Sequence, residues 1–249
     1  MSLLQFTKPN RQVAYAPPQA YTLTIDKNGY IGDKKPADGY THYCFKEIFS
    51  DYSQSGLGQV TPLKYSVIGD KEYVTAIMPD GKEWMAENLD FLPSDGSIAK
   101  NPSSIISNAA AWYYGRDEAT FGWEGKKYGL LYNWYAAKAL TIAGWHLPST
   151  SEWDALATAC GGSSVAGTKL KSTTDWSSGN GTDNYGFCAF PAGRYGGSFD
   201  FLGSDTRFWT SSEYNSSDAY CRYQGTDAEL HLYSSNKSNG FSVRLVKDY

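Results

Sequence analysis

A mixed α+β fold with two short helices, small antiparallel sheets and long loops is what this sequence predicts. Three observations lead there. Twenty Tyr, eight Trp and 25 Gly among 249 residues, with abundant Ser, Thr and Asn, mark a loop-rich, strand-containing chain rather than a helical bundle. Apolar spacing at the helical period is confined to two short stretches. Between positions 208 and 246, apolar and polar side chains alternate as half-buried strands require, because successive side chains point to opposite faces.

Taken in order, residues 1–71 read as a small N-terminal β element that attaches the main domain to something else. They hold Pro17-Pro18, a strand at Tyr21 to Ile25, a turn at Asp26 to Gly29, and a Gly/Ser-rich stretch from Ser53 to Gly58. The main domain, residues 72–249, opens with a hairpin: Glu72 to Met78, a turn at Pro79-Asp80-Gly81, and a return over Lys82 to Met85. Leu131, Trp134, Tyr135 and Lys138 then fall at helical spacing within Leu130 to Leu140, an aromatic stripe read as core. Ser149-Thr150-Ser151-Glu152 follows Pro148 as a capping box: Ser149 can accept from the Glu152 amide while the Glu152 carboxylate reaches back. Trp153, Leu156 and Cys160 mark one face of that helix, which stops at Gly161-Gly162. Residues 163–207 show too little periodicity for regular elements and read as one long loop supporting a site. No solenoid repeat or low-complexity tail is present.

The C-terminal region carries the functional signal. Phe208 to Glu213 and Gly240 to Val246 bracket a polar and aromatic hairpin. Alternation places Ala219, Cys221, Ala228, Leu230 and Leu232 inward. Around a turn at Gly225-Thr226-Asp227, it places Tyr220, Arg222, Gln224, Glu229, His231 and Tyr233 outward. Tyr gives large contact area at low entropic cost, and Tyr and Arg are enriched in binding hot spots, so the outward set suits recognition of another molecule. An ordinary solvated hairpin face is the plainer reading of the same alternation.

Several functions are excluded or disfavoured. A formal charge of −4 with no Lys/Arg cluster argues against nucleic acid, whose phosphates need a concentrated basic footprint, and against a membrane surface. Met1 to Phe6 lacks the basic start and apolar core of a secretion signal. No run approaches the roughly 20 apolar residues of a transmembrane helix. Cys44, Cys160, Cys188 and Cys221 lack CxxC spacing and read as buried free thiols rather than a zinc site or a disulfide framework, with one bonded pair left open. His146 reads as a structural, hydrogen-bonded histidine. His42 has no visible partner, Gly56-Leu57-Gly58 reads as a turn, and Asp117-Glu118 as solvated charge. No metal and no cofactor are expected.

Six ordered blocks resemble a known family: Asp80 to Leu89, Gly129 to Trp134, Gly144 to Trp153, Gly186 to Arg194, Phe208 to Glu213 and Gly240 to Arg244. Together they are similar to the Fibrobacter succinogenes major paralogous domain family. That resemblance implies a C-type lectin-like fold of the formylglycine-generating-enzyme subtype, as used by the variable proteins of diversity-generating retroelements. It implies a variable region at about 209–235, with Tyr214, Asn215, Asp218, Tyr220, Arg222, Gln224, Asp227, Glu229, His231 and Tyr233 as ligand-binding residues. The partner would be a protein or glycan on a cell surface. The chain would sit on a virion, such as a phage tail, or on a bacterial surface, and homo-oligomerisation is compatible with either. Calcium-dependent sugar binding is not expected, since Met78-Pro79-Asp80 lies in the wrong block and Trp209 is followed by Thr210-Ser211. Formylglycine chemistry is not expected either, because Cys188 and Cys221 lie in different blocks with no His or Lys/Arg cluster beside them. A non-variable adhesive module of a bacterial surface is the competing class.

Overall fold

The computed structural model describes residues 4–8, 19–23, 63–116 and 128–249. Pro17-Pro18, the turn at 26–29, His42, Cys44, the stretch at 53–58 and Asp117-Glu118 lie outside the described residues. In the N-terminal part, β1 (Leu4–Lys8) pairs antiparallel with β2 (Gln19–Leu23). The strand expected at 21–25 therefore begins two residues earlier, and its partner had no sequence signal.

The rest is α+β. One sheet of five strands runs in the order β3 (Leu63–Ile68), β4 (Lys71–Ile77), β5 (Glu83–Met85), β15 (Val246–Lys247) and β9 (Trp145–His146). The second runs β11 (Phe199–Leu202), β10 (Ala192–Tyr195), β12 (Thr206–Glu213), β13 (Asp218–Gln224) and β14 (His231–Asn236). A small third sheet joins β6 (Ala99–Lys100), β7 (Ala110–Trp112) and β8 (Leu131–Tyr132). The β10–β12 and β6–β7 pairs are parallel, so the sheets are mixed rather than purely antiparallel.

The β4–β5 hairpin forms where the turn residues demand. Ile77 pairs with Glu83, Met78 N donates to Lys82 O at 2.8 Å, and Asp80 Oδ1 accepts from Lys82 N at 3.1 Å. The first helix is shorter than expected. Leu131 belongs to β8, and α1 spans only Trp134–Ala139, capped by the Asn133 side chain accepting from Ala136 N. Its buried residues are Ala136 and Ala137, not the Trp134 and Tyr135 stripe. The capping box is present as expected. In α2 (Thr150–Ala159), Glu152 N donates to Ser149 Oγ and Ser149 N donates to Glu152 Oε2, while Trp153, Leu156 and Cys160 are buried. Gly161 and Gly162 then take φ of 100° and 101°, conformations that stop the helix.

The region 163–207 overturns the long-loop reading. It contains α3 (Ser163–Leu170) followed by β10 and β11. The helix is only eight residues long and carries Gly167, so neither its period nor its propensity stands out. Among the described residues there are thus three α-helices.

Strands β12 and β13 are covered on both faces. Trp209, Cys221, Phe241 and Ala136 pack in one apolar cluster. Phe208, Trp153, Leu156, Phe187 and Leu230 pack in another, on the side of α2 and α3. The two bracket segments also bind each other: Trp209 N donates to Ser242 O at 3.2 Å and Ser242 N to Arg207 O at 2.9 Å.

The C-terminus closes the first sheet through a charged cluster. His146 Nδ1 lies 2.5 Å from Asp248 Oδ1, its Nε2 lies 2.9 Å from Glu152 Oε1, and Lys82 Nζ donates to the same Glu152 oxygen at 2.8 Å. Partial burial pulls the His146 pKa down, but the hydrogen bonds and charges of Glu152 and Asp248 outweigh it and leave it above the ordinary 6.5. Burial pushes Glu152 up, but bonds from Lys82, Ser149 and His146 hold it near about 2. For His146, with its folded pKa raised, stabilisation is complete below 6.5 and is lost as pH rises through the folded value. For Glu152 it is present above 4.5 and lost as pH falls towards about 2. The solvent-screened pairs of His146 should contribute about 0–1 kcal/mol. The parent protein should therefore lose melting temperature between pH 6 and 8, and His146→Gln should flatten that fall. Parallel melts with identical slopes in that window would reject this assignment.

Candidate functional site

The brackets set the surface between them by locking its two ends into opposite cores. Phe208 and Trp209 point to opposite faces of β12, each fully buried. Trp209 Nε1 donates to Tyr132 O at 2.7 Å, and its ring lies 4.3 Å from that of Phe241.

The register of the outer strands differs from the expected one. Cys221 pairs with Tyr233, Arg222 with Leu232, and Tyr223 with His231. Directly opposed residues share a face, so His231 and Tyr233 stand on the Cys221 side, while Leu232 stands on the Arg222 side. The expected grouping of Tyr220, Arg222 and Gln224 with His231 and Tyr233 is thereby broken. The strands pair even with even and odd with odd, as a three-residue turn opposing Gln224 to Ala228 would also require, so Cys221 could not share a face with Leu230 and Leu232; the observed connection is six residues, Gly225 to Leu230.

Arg222 and Gln224 are not surface residues. Both are buried against the α2 side; Arg222 donates to the Asp154 carboxylate and lies 3.4 Å from Thr150 O. Because α2 and α3 cover the outer face of β13, alternation there separates two interiors rather than inside from outside. Leu232, expected inward, is exposed, and so is Ala228, whereas Leu230 is buried as expected.

The remaining positions fall into two groups. Around the β12–β13 turn, Tyr214 is exposed and meets the half-buried Tyr220 edge to face at 5.2 Å. Asn215 builds the turn itself: its Oδ1 accepts from Ser217 N at 2.8 Å and Asp218 N at 2.7 Å, and its Nδ2 donates to Asp218 Oδ2 at 3.0 Å. Lys237, buried, holds this turn from below, bonding the Glu213 carboxylate and the carbonyls of Asn215 and Ser216.

The second group lies at the β13–β14 end. Rings of Tyr223, His231 and Tyr233 adjoin one another at centroid distances of 5.4 to 5.8 Å. The guanidinium of Arg207 lies 5.2 Å from the Tyr223 ring. His231 Nε2 is 2.9 Å from Asp227 Oδ2, and its Nδ1 is 3.4 Å from Glu229 Oε1. Burial raises the Asp227 pKa, but bonds from His231 and from Glu229 N outweigh it and keep the group below the usual range. Tyr223 escaped the sequence reading because parity put it inward with Cys221; it does share that face, but lies where the core ends. Arg207, Lys171 and Lys237 carried no local signal at all, since a lone cation between polar residues gives no hint of burial.

The 225–230 loop is moored to α3. Lys171 Nζ donates to Gly225 O at 3.1 Å and Asp227 O at 2.6 Å, Thr168 N to Ala228 O at 3.2 Å, and Leu230 N to Ser163 O at 2.9 Å. A Cβ on Gly167 would stand 2.5 Å from Glu229 O and 2.7 Å from Ala228 O. Gly→Ala inside a helix ordinarily gains about 0.5–1 kcal/mol. Gly167→Ala is instead expected to destabilise by about 1–3 kcal/mol, the range for a forced backbone shift. Denaturant unfolding checks the sign, and a gain in stability would show that the loop yields without cost.

Burial pushes the thiols of Cys160 and Cys221 up to about 12, so neither supplies a thiolate near neutrality. Both are free and buried, whereas Cys188 is disulfide-bonded, which corrects its reading as a free thiol. Among the described residues no group of three His, Cys, Asp or Glu is placed to hold a metal ion, and no helix is long and apolar enough to cross a membrane.

No curated protein and no solved structure matches the chain. The sequence pattern of the Fibrobacter succinogenes major domain matches residues 80–247, a span that holds the β4–β5 turn, all three helices and both brackets. With two thirds of its length matched, from the β4–β5 turn to the last strand, the chain belongs to the Fibrobacter succinogenes major domain family.

Proposed function

We propose that the chain is a binding protein, not an enzyme. It presents a Tyr-rich, change-tolerant surface on a C-type lectin-like scaffold of the formylglycine-generating-enzyme subtype, in the manner of the variable proteins of diversity-generating retroelements. The observation that carries this reading is the division of labour within residues 209–235. Trp209, Ala219, Cys221, Arg222, Gln224 and Leu230 are buried and fixed, while Tyr214, Asp227 and Tyr233 are exposed on strands and loops held from beneath. Substitution at exposed positions usually changes stability by less than about 0.5 kcal/mol, so such a surface can vary without loss of the fold. Burial of both free thiols, which raises their pKa, supports binding over formylglycine-type oxidation.

A non-variable adhesive module is the second reading, and Asn215 favours it. Its three turn-forming bonds leave that position little freedom to change. Sequencing the 3′ end of the gene across one population separates the two. Under the leading reading, changes concentrate at Tyr214, Asp218, Tyr220, Tyr223, Asp227, Glu229, His231 and Tyr233, spare Arg222 and Gln224, and accompany a reverse transcriptase gene with a near-repeat template. Uniform scatter along the chain would favour the plain module.

A further inference from the structure

Strand β14 is the outer strand of its sheet, and nothing in its sequence defends it. Edge strands in natural proteins are commonly protected by charge, Pro, a bulge or shortness, because their unpaired N–H and C=O groups are a template for another strand. His231–Asn236 has no Lys, Arg, Asp, Glu or Pro, runs six residues, and pairs with β13 in unbroken register from Asp218↔Asn236 to Tyr223↔His231. Leu232, Tyr233 and Ser234 are exposed in succession, so both faces of its middle are open. The opposite edge differs: β11 has four residues, carries Asp200, and is distorted at Phe201, whose φ is +65°.

Charge around β14 is one-sided. The side chains of Arg222 and Lys237 are 3% and 4% exposed, while those of Glu213, Asp227 and Glu229 are 55%, 57% and 46% exposed. Arg222 and Lys237 thus face inward, Arg207 lies against the Tyr223 ring with its side chain 19% exposed, and the carboxylates face solvent. Beside Asp227 and Glu229 stand the adjoining rings of Tyr223, His231 and Tyr233. Aromatic faces bordered by carboxylates attract a cationic side chain.

We propose that β14 accepts an extended segment of the ligand as a sixth strand, a basic polypeptide whose Lys or Arg side chains at alternate positions lie over Tyr223, His231 and Tyr233. The inference rests on the ligand-binding reading above and names the ligand's chemistry. A glycan has no main-chain ladder to offer this edge, and a second copy of β14 brings no Lys or Arg to the carboxylates. In strand addition, backbone bonds supply affinity while alternate side chains supply specificity.

The test is titration of the full chain with a synthetic peptide, Thr-Lys-Val-Lys-Thr-Lys-Val, followed by calorimetry and by amide exchange at 231–236. Saturable binding with slowed exchange along β14 is expected, lost when the three Lys become Glu. In a strand, alternate amides point to the same edge. N-methylating one alternate set should therefore weaken binding by about tenfold or more, and methylating the other set should not. His231→Ala with Tyr233→Ala should weaken it further. Equal affinity of both methylated peptides, equal binding of the Glu peptide, no saturation by about 1 mM, or a β14-mediated dimer in sedimentation would each overturn the proposal. Binding of a neutral glycan at this face without the peptide would overturn it too, yet leave the ligand-binding reading intact, as would any outcome here alongside the expected pattern of gene variation.

Discussion

Arg244→Met should destabilise the protein by about 3–5 kcal/mol, the cost of removing one member of a buried, fully bonded charge network. Arg244 is completely buried at the end of the Gly240 to Arg244 block. Its Nε donates to Asn88 Oδ1 at 2.6 Å, Nη1 to Met85 O at 3.0 Å and Phe187 O at 2.8 Å, and Nη2 to Cys188 O at 3.0 Å. Four acceptors from two separate segments, 85–88 and 187–188, thus share one planar donor, which lies 4.7 Å from the Phe187 ring. Burial drags its pKa down to about 9, against the supporting charges of Glu87 and Asp183, so the group remains a cation at neutral pH. Methionine fills much of the volume but leaves the acceptors without a donor in a low-dielectric interior. Lysine keeps the charge yet cannot reproduce the fork, so Arg244→Lys should recover only part of the loss. Urea unfolding of the two variants checks this, and a loss below about 1 kcal/mol for Arg244→Met would show that the network can re-form without its centre.

What the sequence made legible was local. A capping box and a Pro-Asp-Gly turn specify their own geometry through neighbouring atoms, and both are present at the residues expected. The brackets were legible as apolar blocks, and they are the buried ends of β12 and the segment leading into β15. Cross-strand parity was not legible. Inward and outward sets read strand by strand take no account of which residues oppose across the turn, and the turn signal at 225–227 is only part of a longer 225–230 connection docked against Gly167 and Lys171, contacts some 60 residues away in sequence. Burial of Arg222 and Gln224 was hidden for a related reason: period-2 alternation tells which side chains share a face, not whether that face meets solvent or α2. The residues named for the candidate site lie in one hairpin, but burial divides them. Tyr223 joined the site, Arg222 and Gln224 left it for the interior, and Asn215 became part of its frame.

Trp209→Ala and Trp153→Ala should each cost about 3–5 kcal/mol, since both rings are fully buried and dominate opposite cores of the same sheet. Their Phe variants should differ. Trp209 Nε1 donates to Tyr132 O at 2.7 Å, whereas Trp153 Nε1 is buried with no hydrogen-bond partner among the described residues. Trp153→Phe removes an unsatisfied donor while preserving ring contacts with Trp84 at 4.9 Å and Phe208 at 5.5 Å. Trp209→Phe removes a made bond, so it should cost about 1 kcal/mol more than Trp153→Phe. Against these, Tyr220→Ala, His231→Ala and Tyr233→Ala together should shift stability by no more than about 0.5 kcal/mol each. Adding Arg222→Ala to that triple should lower it sharply, because Arg222 is an interior residue whose bond to Asp154 fastens β13 beneath α2. Denaturant unfolding of the six variants ranks them, and a quadruple variant no less stable than the triple would return Arg222 to the solvent face. With Arg222 inside, the exposed part of this hairpin is the β12–β13 turn around Tyr214 together with the β14 edge and its ring cluster, resting on the buried side chains of Trp209, Trp153 and Arg244.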